Sequence, residues 1–128
     1  MSKISVSNGI NSRKKCFAYA LAGLKSIWRS EINFKIQIIA TLLVIVLGFF
    51  FKLKNAEWIA LLICIGMALT AEIFNTAIDQ ISNFISPEIR PEIKLIKDIG
   101  ASGVFVMALS SAITGCIIFL PKLNQIII

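Results

Sequence analysis

Glu72, Asn75, Thr76, Asp79 and Asn83 stand at i, i+3, i+4, i+7 and i+11. On a helix of about 3.6 residues per turn those offsets draw one polar stripe. The helix carrying it is otherwise apolar: Trp58 to Ala71 holds no charge, and Ile73, Phe74, Ile78 and Ile81 fill the intervening positions. An acid inside such a segment costs a few kcal/mol and by default marks function. Glu72 lies about 15 residues in, or ~22 Å at about 1.5 Å per residue, against a hydrocarbon core of ~30 Å. That depth is in or just under the inner leaflet, where an ionisable residue is a functional-site candidate. A second acid, Glu31, opens the preceding apolar segment, with Asn33 and Lys35 after it, and Lys97-Asp98 opens the following one. Carboxylates gathered at one membrane face could hold Mg²⁺, which takes few protein ligands and keeps phosphate oxygens. The cations beside them could meet phosphates. No Walker loop or kinase glycine loop is present, and the absence of histidine removes the usual general base. A competing reading has Asn and Thr gluing helices together and Asp79 and Asn83 solvated at a helix end; it leaves Glu72 unexplained.

The elements that must position these groups are membrane helices. Of the 128 residues, 57% are hydrophobic and 16% charged, with a mean hydropathy of +0.85. A soluble domain averages roughly 45–50% apolar and about 25% charged, which argues against a soluble enzyme. The expected fold is all-α and integral to the membrane, in a single domain over 1–128. A surface helix at about 13–29 precedes spans at about 32–51, 57–85 and 97–120. Ile99 to Leu120 carries no charge, and Pro87 and Pro91 break the connection before it. On the first helix, at about 100° per residue, Phe17, Leu21, Leu24 and Trp28 fall within about 60° of one another, with Lys15, Tyr19, Ser26 and Arg29 opposite. Such a helix lies in the membrane interface. Cys16, Cys64 and Cys116 are far apart and odd in number, which argues against a disulfide framework or a zinc site.

Lys and Arg counts set orientation. Seven precede or open the first span, from Lys3 to Lys35, and Arg90, Lys94 and Lys97 precede the third. Lys52, Lys54 and Lys122 fall on the other side. The N-terminus is therefore expected in the cytosol and the C-terminus outside. The net charge of +6 is largely this topology signal plus attraction to anionic lipid. It leaves no basic surface for nucleic acid.

At these residues the sequence resembles the prokaryotic diacylglycerol kinase and undecaprenol kinase family, small lipid kinases of the bacterial inner (cytoplasmic) membrane. Ala71 to Asp79 is similar to the family's Glu, two residues, Asn, Ser or Thr, Ala, aliphatic, acid pattern. Lys97-Asp98-Ile99-Gly100 matches its Lys-Asp position, and Tyr19 to Lys25, Trp28 and Glu31 to Lys35 follow its N-terminal pattern. The resemblance covers about residues 12 to 122. It implies ATP-dependent phosphorylation of a membrane lipid hydroxyl, with Mg²⁺ as cofactor, by a homotrimer whose composite sites lie between subunits at the cytosolic face. By resemblance Glu72 is the catalytic base, and Glu31 and Asp79 are Mg²⁺ ligands. Tyr19, Asn75, Asp79, Glu88, Arg90, Lys97 and Asp98 are then nucleotide-site residues, and Trp28, Phe34 and Lys35 are lipid-side contacts.

Three positions depart from the family's pattern. Asp79 stands where Glu is usual, Asn83 where Asp is, and Gln37 where a basic or imidazole group is. The lipid is undecaprenol or diacylglycerol; the segments Asn33 to Ile36 and Ile73 to Thr76 look closer to undecaprenol kinases. The alternative is a small multidrug-type transporter using Glu72 as a cation or proton site, which expects four spans and a Glu near the midplane. A purely structural or pore-forming membrane protein is a further rival, in which the stripe is only packing.

Overall fold

A computed structural model of the chain describes residues 9–128; Lys3, counted in the orientation above, lies outside them. Four helices follow in order: α1 Gly9–Ser30, α2 Ile32–Phe50, α3 Asn55–Ile85 and α4 Pro91–Ile127. They form two compact units, Met1–Ile32 and Asn33–Ile128. In the first, Ile27 is buried and Phe17, Leu21, Leu24 and Trp28 are exposed, so the apolar stripe of α1 is uncovered along most of its length.

In the second unit, α2, α3 and α4 are long and apolar enough to cross a membrane, and among the described residues these are the three such helices. Their most hydrophobic windows are only 11%, 17% and 6% buried inside the chain. Most of that apolar surface must therefore meet lipid or other protein. The helix boundaries differ from expectation chiefly in α4. It begins at Pro91, because proline at the first helical position gives up an N–H that has no partner there. It also continues through Pro121 to Ile127. The segments flanking Pro121 are held from outside the helix. Phe119 stacks edge-on to Phe51 at 5.9 Å, and Lys122 Nζ reaches Glu57 Oε1 at 3.1 Å with both side chains largely shielded. Glu57 Oε1 also accepts the Lys54 N–H at 3.1 Å, closing the start of α3.

α3 and α4 pack against each other along their length, and their partners run antiparallel: Glu57 with Lys122, Asn75 with Gly100, Asn83 with Lys97. The core cluster of Leu53, Leu61 and Ile118, with Trp58, Phe51 and Val44 against it, sits at the α2–α3 turn. Packing thus concentrates at the end opposite the polar stripe. Lys52 takes φ 53° in that turn. Gly48 lies under the Trp58 indole, where a Cβ would stand 2.6 Å from Trp58 Cη2.

Gly48→Ala should therefore lower the thermal midpoint in detergent, by roughly 1–3 kcal/mol of overpacking. Trp58→Phe should recover part of the loss. Circular dichroism melts of the three proteins check this, and an unshifted Gly48→Ala midpoint would contradict it.

Candidate active site

The stripe on α3 is where burial and polarity coincide. Glu72 is 3% exposed and Thr76, one turn on, is also buried. α2 supplies a partner for the acid: Gln37 Nε2 donates to Glu72 Oε2 at 3.3 Å. A donor beside a buried carboxylate offsets part of the hydration that burial removes. The Thr76 hydroxyl, Asn75 Oδ1 and Gln37 Oε1 are buried with no hydrogen-bond partner among the described residues. Buried polar atoms without a protein partner call for an ordered water or a ligand.

Asn75 is seated by α4. Its Oδ1 packs onto Gly100, where a Cβ would come within 2.8 Å, and Ile78 closes the same spot at 3.4 Å. Only a glycine lets the two backbones approach this closely with the amide between them. Asp79 is half-buried one turn beyond Asn75. Among the described residues no three His, Cys, Asp or Glu side chains stand together as a metal cluster. Mg²⁺ needs only one or two carboxylates beside phosphate oxygens. Asp79, half-buried on the α3 stripe, is a carboxylate of that kind.

At the end of the stripe the Lys97 ammonium donates to Asn83 Oδ1 at 2.5 Å. The amide at this position thus holds the lysine without adding charge. Lys97 and Asn83 share a recess of about 170 Å³ with Glu88, Arg90 and Lys94. Three cations around one small recess make it attractive to phosphates. Asp98 is placed differently: it pairs with Lys94 Nζ at 2.6 Å on an exposed face, and it is not among the residues lining the recess. Such an exposed i, i+4 pair contributes about 0–1 kcal/mol.

The remaining candidates are spread more widely. Phe34 is buried and Lys35 half-buried at the start of α2. In the first unit, Tyr19 is 70% exposed and Trp28 is exposed. Glu31 is half-buried in the break after α1, its N–H donating to the Ile27 carbonyl at 2.9 Å. Two participants were missed in the pattern of residues. Lys94 enters only as an orientation charge, although it stands one turn before Lys97-Asp98. Gln37 enters only as a departure, although an amide one turn inside an apolar span was itself the signal. Between α2, α3 and α4 lies an apolar cavity of about 510 Å³, with Gln37 at its end nearest Glu72 and Val44, Leu61, Ala108 and Phe119 farther along.

Gly100→Ala should push the Asn75 amide out of place and reduce catalytic turnover by more than about tenfold, with helix content retained. Turnover and circular dichroism on the same sample check it, and normal turnover would contradict it.

Comparison with known proteins bears on the same residues. Residues 18–119 match the prokaryotic diacylglycerol kinase family. The chain is 36% identical over 116 residues to the undecaprenol kinase of Bacillus subtilis, covering 91% of this chain and 94% of that protein. It is 26% identical over 104 residues to the diacylglycerol kinase of Escherichia coli K12, covering 81% and 85%. It is 28% identical over 92 residues to that of Helicobacter pylori J99, covering 72% of each. Nothing in these matches supports the transporter alternative, and among the described residues three helices are long and apolar enough to cross a membrane where that reading expects four. The match spans the stripe on α3 and the Lys97-Asp98 start of the α4 span, and the chain belongs to the prokaryotic diacylglycerol kinase family and is a lipid kinase.

Proposed function

We propose that the chain transfers the γ-phosphate of ATP to the primary hydroxyl of undecaprenol, at the cytosolic face of the bacterial inner membrane. The observation that carries this reading is Glu72, an acid 3% exposed on an apolar helix with an amide donor set against it. The higher identity to an undecaprenol kinase, 36% against 26–28% for the diacylglycerol kinases, supports undecaprenol over diacylglycerol.

In this reading the lipid hydroxyl arrives laterally at the depth of Glu72, whose carboxylate takes its proton. The freed oxygen attacks the γ-phosphorus in line, and the bond to the β-phosphate oxygen breaks with its electron pair leaving on ADP. Lys97, steered by Asn83, and the Arg90 and Lys94 cations offset the phosphate charge. Positioning and electrostatics then do most of the work. Asn75 and Asp79, with Tyr19, Glu88 and Asp98, are the nucleotide-side residues, and Trp28, Phe34 and Lys35 the lipid-side ones. Asp79 and Glu31 would hold Mg²⁺, which supplies charge neutralisation on the phosphates.

The exposed apolar stripe of α1 suits a helix lying in the interface. The lysine and arginine distribution favours a cytosolic N-terminus and an external C-terminus. The small buried share of each span leaves ample surface for the homotrimer with composite sites that the family resemblance implies.

Glu72→Gln should reduce transfer of label from γ-labelled ATP to lipid by at least about 100-fold while leaving oligomeric size and insertion unchanged; undiminished labelling would sink the base assignment. Asp79→Asn should raise the Mg²⁺ concentration needed for half-maximal rate by on the order of tenfold, and an unchanged Mg²⁺ titration would count against its ligand role.

A further inference from the structure

We infer that Gln37 is a positioning residue for phosphoryl transfer, holding the Glu72 carboxylate in the orientation in which it meets the lipid hydroxyl. The inference rests on the reading of Glu72 as the base. Gln37 and Glu72 are 35 residues apart in sequence and meet through one side-chain hydrogen bond, from Gln37 Nε2 to Glu72 Oε2 at 3.3 Å. The direction of that bond is fixed by chemistry. A carboxylate only accepts, so the NH₂ end of the amide must turn to it. The carbonyl end is then left over, and Gln37 Oε1 is buried without a partner.

An unpaired buried acceptor is destabilising. A methionine or leucine would fill the same space without that cost, since Gln37 otherwise lines an apolar cavity beside Ala40, Val44 and Leu69. A packing role therefore does not account for an amide here, whereas a donor aimed at Glu72 does. The donor comes from a half-buried residue inside the helix α2. Because the amide is neutral at every working pH, it orients the acid without competing for its proton. A second carboxylate at 3.3 Å would compete for it.

The test compares the purified protein in lipid vesicles with Gln37→Met, an unbranched replacement that keeps the volume and removes the donor, and with Gln37→His, which keeps a ring N–H donor. Gln37→Met should lower kcat by about ten- to hundredfold, with the KM for lipid and for MgATP unchanged within about twofold. Gln37→His should recover most of that loss. In a Glu72→Gln background, Gln37→Met should cause no further drop, because the residue acts through Glu72. A raised lipid KM with normal kcat would overturn the inference by making Gln37 a binding group, and an unchanged kcat would overturn it outright. Loss in Gln37→Met that Gln37→His fails to recover would overturn the donor role. Full activity in Glu72→Gln would defeat the base reading itself. Lost activity there with normal kcat in Gln37→Met would defeat this inference alone.

Discussion

The hydrocarbon core offers no water to backbone amides or to charged side chains, and each span meets that constraint by closing its N–H and C=O groups within a helix. The same constraint makes Glu72 costly, because its carboxylate is taken from solvent in the middle of an apolar helix. The Gln37 amide, brought across from α2, provides the hydrogen bond that solvent does not. The rest of the second unit follows from keeping that pair in register. The aromatic and aliphatic cluster at the α2–α3 turn fixes where α2 lies against α3. The glycine-close approach of α4 then seats Asn75 one turn from Glu72.

Stability and chemistry are divided between the two ends of this bundle. The turn end holds the stacked rings, the Glu57–Lys122 ion pair and the hydrophobic core cluster. The other end holds open polar atoms, a small cation-lined recess and the proline-bounded connection between α3 and α4. Such a division is expected where binding groups must stay incompletely satisfied until substrate arrives.

Much of this was legible in the residues. Three uncharged stretches announce the spans, and the offsets from Glu72 to Asn83 announce the stripe, because helical periodicity converts sequence distance directly into a face. The pairings were not legible, because they are tertiary. Gln37 meets Glu72 across 35 residues and Lys97 meets Asn83 across 14. Nothing local tells Lys97 from Lys94, or shows that Asp98 turns to Lys94 rather than into the recess. Pro87 and Pro91 bound the connection between α3 and α4 as the sequence suggests, Pro91 as the first residue of α4, whereas Pro121 is carried inside α4 between two tertiary contacts.

The central claim is that this small membrane bundle moves a phosphate from ATP to a lipid alcohol. The purified protein should be placed in vesicles containing undecaprenol, diacylglycerol or neither, and given γ-labelled ATP with Mg²⁺. The account predicts label in the lipid fraction, with undecaprenol the faster acceptor, and no lipid label in vesicles lacking both alcohols. Label remaining entirely in ATP and inorganic phosphate, with both alcohols present, would contradict it.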